Sequence, residues 1–76
     1  MHMFQYEALR QVTAPLFLTA AYGRKYASRE QAVADWQAGK DFKIDNGPYC
    51  SIRDIELMRK EFCNIYIIYE MGSVKI

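Results

Sequence analysis

The sequence predicts a single α+β domain over residues 1–76, in which two or three helices pack on a small sheet of three to four strands. Three observations lead to this prediction. Two segments begin with helix-capping residues, other segments alternate between apolar and polar residues, and the connections between them are short. A chain of 76 residues has room for one hydrophobic core and none for a separate cofactor-binding domain.

The first dozen residues fit two structures. Alternation would place Phe4, Tyr6 and Ala8 on one side of a strand. Helical spacing is instead shown by Phe4, Ala8, Leu9 and Val12. Helix-forming residues predominate here, so a helix is the favoured prediction. After Pro15, the apolar run from about Leu16 to Tyr22 predicts a strand, and the sequence leaves its parallel or antiparallel pairing open.

Two serines begin the predicted helices. Ser28 opens an S-x-x-Q capping box, and the helix that follows it extends to Ala38, before a glycine suited to a left-handed C-terminal position. Ser51 is followed three residues later by Asp54, which favours a second helix start. Spacings of three and four residues then give that helix one apolar face, formed by Ile52, Ile55, Met58 and Phe62.

Three further segments have strand character. The clean alternation of Asp41–Asp45 predicts a half-buried strand, and Asn46–Pro48 predicts the turn after it. Cys63–Glu70 is rich in β-branched and aromatic residues on both faces, which predicts a central strand. A turn at Met71–Gly72 would then pair Val74–Ile76 with it as a short edge strand.

Composition excludes several classes of protein. Ten Lys and Arg against nine Asp and Glu give a net charge of +1, too small for a strongly basic nucleic-acid tail. Two cysteines and one histidine are too few for a structural zinc site or a typical disulfide framework. Neither a secretory signal nor a membrane span is apparent, so we expect a cytoplasmic protein without metal or cofactor.

We expect no enzymatic activity, because the residues needed for a catalytic site are missing. The only imidazole is His2, near a chain end, so neither cysteine has a credible general base. Asp41 and Asp45 lie on one predicted strand face and are interpreted as solvent-facing residues. Cys50 precedes a helix start that would lower a thiol pKa, which makes it the better candidate for reactivity; the alternative is structural burial.

The aromatic strand provides the first candidate surface. Tyr66 and Ile68 lie on the second face of a strand whose first face is already apolar, and with Tyr49 they are candidates for a protein interface. Such an interface would bind a protein partner or a second copy of the chain. The alternative, equally open on sequence grounds, is that the N-terminal segment covers these residues.

A basic loop provides the second candidate surface. Cations neutralise phosphates and aromatic rings stack on bases, so this mixture of residues fits single-stranded nucleic acid. The candidate contacts are Tyr22, Arg24, Lys25, Tyr26 and Arg29. The alternative is a solvated loop between a strand and a helix, favoured by the near-neutral net charge.

Two short stretches are similar to small bacteriophage-encoded proteins of unknown function. They read W-x-x-G-K-D-F from Trp36 to Phe42 and G-P-Y-x-S-x-x-D from Gly47 to Asp54, about a fifth of the chain. The resemblance implies an accessory role in the cytoplasm of a host cell, and it brings no catalytic residue or ligand. The sequence therefore predicts a non-enzymatic interaction protein, with single-stranded nucleic-acid binding as the alternative.

Overall fold

A computed structural model describes residues 15–61 and 64–76 of the chain. Within them lie two helices and five strands. The strands are β1 (Leu16–Ala20), β2 (Phe42–Ile44), β3 (Tyr49–Cys50), β4 (Ile65–Tyr69) and β5 (Gly72–Lys75). Helix α1 (Arg29–Gln37) connects β1 to β2, and helix α2 (Ile52–Glu61) connects β3 to β4. The α+β prediction is confirmed, whereas the predicted conformation of the first dozen residues lies outside the described residues.

The predicted count of three to four strands is wrong, because the described sheet has five. The additional strand is β3. It directly follows the predicted turn, and the sequence shows no separate sign of a strand there. Residues 45–48 form the predicted turn, with Asn46 at a φ of 59° and the Ile44 N–H donating to the Pro48 carbonyl at 2.9 Å. Directly after this turn, Tyr49–Cys50 pairs antiparallel with β2 over only two residues, too few to show an alternating pattern.

The sheet is mixed, with a parallel pair at its centre. Its strand order is β3-β2-β1-β4-β5, in which β1 runs parallel to β4 and every other neighbouring pair is antiparallel. The central register matches Phe17 with Tyr66. The predicted edge strand is confirmed as β5. The turn before it lies at residues 70–71, one residue earlier than predicted, because Gly72 already pairs with Tyr69.

Both predicted helix starts are confirmed by their caps. The Ser28 side chain accepts a hydrogen bond from the Gln31 N–H at 3.2 Å. At α2 the capping is reciprocal: Ser51 Oγ accepts from the Asp54 N–H at 3.3 Å, and Asp54 Oδ2 accepts from the Ser51 N–H at 3.3 Å. Gly39 follows α1 with a φ of 72°, the left-handed conformation expected after a helix.

One face of the sheet and both described helices enclose the core. Alternate strand residues point toward the helices, and all of them that are buried join one cluster with the apolar residues of α1 and α2. The buried members are Leu18, Ala20, Tyr26, Ala32, Phe42, Ile44, Cys50, Ile55, Met58, Ile65, Ile67 and Val74. Trp36 packs at its edge, 6.1 Å from Phe42 between ring centroids, with the guanidinium of Arg59 over its own ring at 5.2 Å.

Candidate interaction surfaces

The opposite face of the sheet brings together all three residues predicted for a protein interface. We define the second face as the strand residues that point away from the core by alternation and register. These are Phe17, Thr19, Lys43, Tyr49, Tyr66, Ile68, Ser73 and Lys75. Neither of the two described helices contributes to this face, so Tyr66, Ile68 and Tyr49 share a surface distinct from the core.

Aromatic and aliphatic side chains occupy the centre of the second face. The rings of Phe17 and Tyr66 lie 5.7 Å apart between centroids and are tilted by 33°, within the range of favourable aromatic contacts. Both residues and Ile68 are half-buried. Thr19 beside them is buried and donates through its hydroxyl to the Ala20 carbonyl at 3.0 Å. The centre of this face is therefore apolar and ordered by cross-strand contacts.

Tyr49 has a different role at the rim of the second face. Its side chain is 57% exposed, and its hydroxyl donates to Asp41 Oδ2. This hydrogen bond raises the pKa of the Tyr49 phenol. The other oxygen of Asp41 accepts from the Ile52 N–H at 3.2 Å, so the pair also ties the rim to the start of α2. Tyr49 is both accessible at this rim and structurally engaged.

Sequence reasoning missed Phe17 as a member of this face. The signal was present in the run Leu16–Leu18, which is apolar at three successive positions and therefore on both sides of a strand. Strands of parallel pairs have this character because layers normally cover them on both faces. Pairing of β1 with β4 makes Phe17 and Tyr66 direct neighbours, and that pairing was not evident from the sequence.

The basic loop is shaped by a tight turn directly after β1. The Gly23 N–H donates to the Ala20 carbonyl at 2.8 Å, and the Ala20 N–H donates to the Arg24 carbonyl at 3.0 Å. Gly23 has a φ of 89°, which a side chain at that position would strain. The turn fixes the backbone of Arg24, while Tyr22 remains 76% exposed.

Tyr26 is a structural anchor of this loop, which corrects the prediction that its ring contacts nucleic acid. Its backbone joins the end of β4: its N–H donates to the Ile68 carbonyl at 3.1 Å, and its carbonyl accepts from the Glu70 N–H at 2.9 Å. The side chain is only 5% exposed, and its ring lies 6.1 Å from that of Phe42. Burial, followed by a hydrogen bond to Asp35, raises the pKa of the Tyr26 phenol well above its usual range. A ring packed in this way is not available for stacking on a base.

The remaining loop residues border a cleft of about 460 Å³, which we call the basic cleft. Four of the predicted contacts line it: Tyr22, Arg24, Lys25 and, through the little surface that it exposes, Tyr26. Arg29 is exposed outside this lining. The wall is completed by Ala27 of the loop and by three residues that sequence reasoning missed: Gln31, Asp35 and Glu70. They come from α1 and the β4–β5 turn, and only the fold brings them to the loop. The cleft therefore combines cations, carboxylates and one exposed aromatic ring.

Cys50 is a buried core residue. Burial first, and the negative charge of Asp54 second, raise the pKa of its thiol. The prediction that the nearby helix start lowers this pKa is therefore wrong, because loss of hydration dominates. Across residues 15–61 and 64–76, no three His, Cys, Asp or Glu side chains cluster closely enough to hold a metal ion.

Comparison of the chain with protein-family models, curated proteins and solved structures gives no match. Of the helices in the described part of the chain, none has the length and apolar character needed to cross a membrane.

Proposed function

We propose that this chain is a non-enzymatic interaction protein that binds a protein surface, either a partner's or a second copy's, through the second face of its sheet. The observation that carries this proposal is the location of Phe17, Tyr66 and Ile68 on the side of β1 and β4 away from the described helices. Apolar side chains stabilise a complex when water is removed from them, by about 25 cal/mol per Å².

The residue types on the second face support protein binding over simple exposure. Tyrosine combines a large apolar ring with a polar hydroxyl, so it tolerates water when free and buries a large area when bound. Tyr66 at the centre and Tyr49 at the rim have this character. Tyrosine and phenylalanine are also enriched at protein interfaces relative to the remaining surface.

Capture from a cell lysate, with and without nuclease treatment, tests this proposal. The immobilised proteins are the wild type, Tyr66→Ser on the second face and Tyr22→Ser as a matched tyrosine control outside it. We expect an identified protein, or untagged copies of this chain, to be retained by the wild type and Tyr22→Ser and lost with Tyr66→Ser. Retention unaffected by Tyr66→Ser, with circular dichroism showing the variant folded, would contradict a role for this face.

A second candidate function is binding of single-stranded nucleic acid in the basic cleft. It is favoured by the convergence of two cations, Arg24 and Lys25, on one cleft with the exposed ring of Tyr22. The carboxylates of Asp35 and Glu70 line the same cleft and repel phosphates, which is why protein binding remains the preferred proposal.

Fluorescence anisotropy with a labelled single-stranded oligonucleotide tests the second candidate. Two phosphate contacts contribute about 1.4 to the slope of log affinity against log salt concentration. We therefore expect the double variant Arg24→Ala/Lys25→Ala to reduce that slope by about 1.4, and Tyr22→Ser to weaken binding about tenfold or more through lost stacking. Tyr66→Ser is the matched control and should have no effect. Binding that is absent, or independent of salt, would exclude this function.

We further propose an accessory role in a phage-infected host cytoplasm. This part of the proposal rests on the similarity of Trp36–Phe42 and Gly47–Asp54 to small phage-encoded proteins. An interaction protein with one small domain fits such a role, because binding requires a complementary surface and no catalytic apparatus.

A further inference from the structure

We propose that the surface bound by the second face is the second face of another copy of this chain, related to the first by a two-fold axis parallel to the strands. This inference rests on the proposed function and names its partner. It follows from the order of charged and aromatic side chains along one row of the sheet.

The row runs across three neighbouring strands, β1, β4 and β5, and the first residue of the turn after β2. Phe17 of β1 is matched with Tyr66 of β4, and Tyr66 is matched with Lys75 of β5. On the other side of β1, the Asp45 N–H donates to the Phe17 carbonyl at 2.8 Å, which continues the row beyond the end of β2. Asp45 and Lys75 are both exposed. The row therefore reads anion, aromatic, aromatic, cation.

This order is complementary to itself. A two-fold axis between β1 and β4 reverses the row, so that Phe17 faces Tyr66 of the second copy and Lys75 faces its Asp45. Each contact occurs twice, as symmetry requires of an interface in which both copies use the same surface. Two sheets packed face to face in nearly aligned orientation lie about 10 Å apart, a distance that side chains from both sheets fill.

The next row of the second face is compatible with the same symmetry. It contains Lys43 matched with Thr19, and Ile68 matched with Ser73. Reversal places Lys43 opposite the Ser73 hydroxyl. It also places Ile68 above the position of Thr19, a residue that exposes only 3% of its own surface. Neither row opposes like charges, so the arrangement avoids the repulsion that would exclude most pairings of identical surfaces.

The dimensions of the face predict a weak dimer. Five strands spaced about 4.8 Å apart give a surface roughly 19 Å wide. Only β1 and β4, with five residues each, are about 17 Å long, and β2 and β3 have three and two residues. This footprint is smaller than the roughly 800 Å² that each partner contributes to a standard stable interface. We therefore expect dissociation constants in the micromolar range or weaker.

Sedimentation velocity over a concentration series, combined with a charge exchange, tests the arrangement. We expect the wild type to form a dimer, Lys75→Asp and Asp45→Lys each to weaken it about tenfold, and the double variant to restore it. Lys40→Asp, an equal change of charge at an exposed position off the second face, should leave dimerisation unchanged. Added salt should weaken the wild-type dimer and strengthen that of Lys75→Asp.

Two outcomes would overturn the inference. A wild type that remains monomeric up to near-millimolar concentration excludes the second copy as occupant. For such a monomer, hydrogen exchange and cross-linking that show residues 1–14 covering Tyr66 would exclude the proposed function as well. If Tyr66→Ser instead abolishes capture of a different protein, the proposed function stands and only the second copy is excluded. A dimer insensitive to both charge reversals would show that another surface mediates association.

Discussion

The two faces of the sheet are formed by the same strands, yet they differ in burial and in the residues that they carry. On the helix-covered face, Leu18, Ile65 and Ile67 are at most 1% exposed. On the second face, their neighbours Phe17, Tyr66 and Ile68 are half-buried, and only the small Thr19 is buried. The two described helices pack on the first of these faces, and the residues of the two faces differ as well.

That difference concerns the chemistry of the side chains. Aliphatic residues predominate below the helices, where no water reaches them and close packing determines their contribution. Tyrosine, threonine and lysine accompany the apolar residues of the second face, and each combines an apolar stem or ring with a polar end. Such a face remains compatible with water while retaining enough apolar area to bind a protein surface.

The largest expected effect is on the free energy of unfolding, measured for one matched substitution on each face of the sheet. Phe42→Ala removes a fully buried ring from the helix-covered face and should lower the free energy of unfolding by about 3–5 kcal/mol. Phe17→Ala makes the same change on the half-buried second face and should cost less than half as much. Urea denaturation at low protein concentration measures both. Equal losses would show that the second face is as closely packed as the core.

Alkaline pH should lower the stability of the folded state, because the phenol of Tyr26 and the thiol of Cys50 are buried in their protonated forms. Burial raises the pKa of both Tyr26 and Cys50, so the folded state holds them neutral more strongly than the unfolded chain does. The free energy of unfolding should therefore fall as the pH rises through their ordinary pKa values, about 8.5 for a thiol and about 10 for a phenol.

Tyr26→Phe provides the control for this pH dependence. Phenylalanine fills the same space and has no proton to release, so the variant should lose less stability between about pH 9 and pH 11 than the wild type does. Thermal unfolding followed by circular dichroism at each pH measures the difference. Parallel profiles for the two proteins would show that Tyr26 does not contribute.

The smallest expected effect concerns the contact between the helices. Arg59→Ala removes the guanidinium from the ring of Trp36 and should lower the free energy of unfolding by about 0.5–1 kcal/mol, the value of an exposed cation–π contact. Arg53→Ala, at an exposed position of the same helix, is the matched control. Equal effects of the two substitutions would attribute the loss to general charge or helix propensity rather than to the ring.

Local signals in the sequence predicted much of this fold. Both helix starts, the turn at residues 45–48 and the final strand follow from hydrogen-bonding and backbone preferences of residues close in the chain. The sequence did not indicate β3, because two residues cannot show periodicity. Nor did it indicate the parallel pairing of β1 with β4, because no local preference determines which distant strands become neighbours.

For the candidate surfaces, too, the sequence predicted what depends on one strand or loop and missed what depends on tertiary contacts. Alternation placed Tyr66 and Ile68 together correctly, since both lie on one strand. It did not identify Phe17, which joins them only through the strand pairing. For the basic loop, composition pointed to Tyr26, whose ring turned out to be packed in the core. Composition describes which groups a loop contains, whereas tertiary contacts determine which of them face solvent.

The parallel pairing at the centre of the sheet has a consequence for the order of folding. β1 and β4 come from the two ends of the described chain, whereas the β2–β3 and β4–β5 hairpins join adjacent segments. Closing a long loop costs more conformational entropy than forming a hairpin, so the hairpins and helices can form before the central pair does. On the ribosome, β1 emerges first and must wait for β4 to be synthesised before its central hydrogen bonds form. We therefore expect the pairing at the middle of the sheet to form late in folding, after the local hairpins.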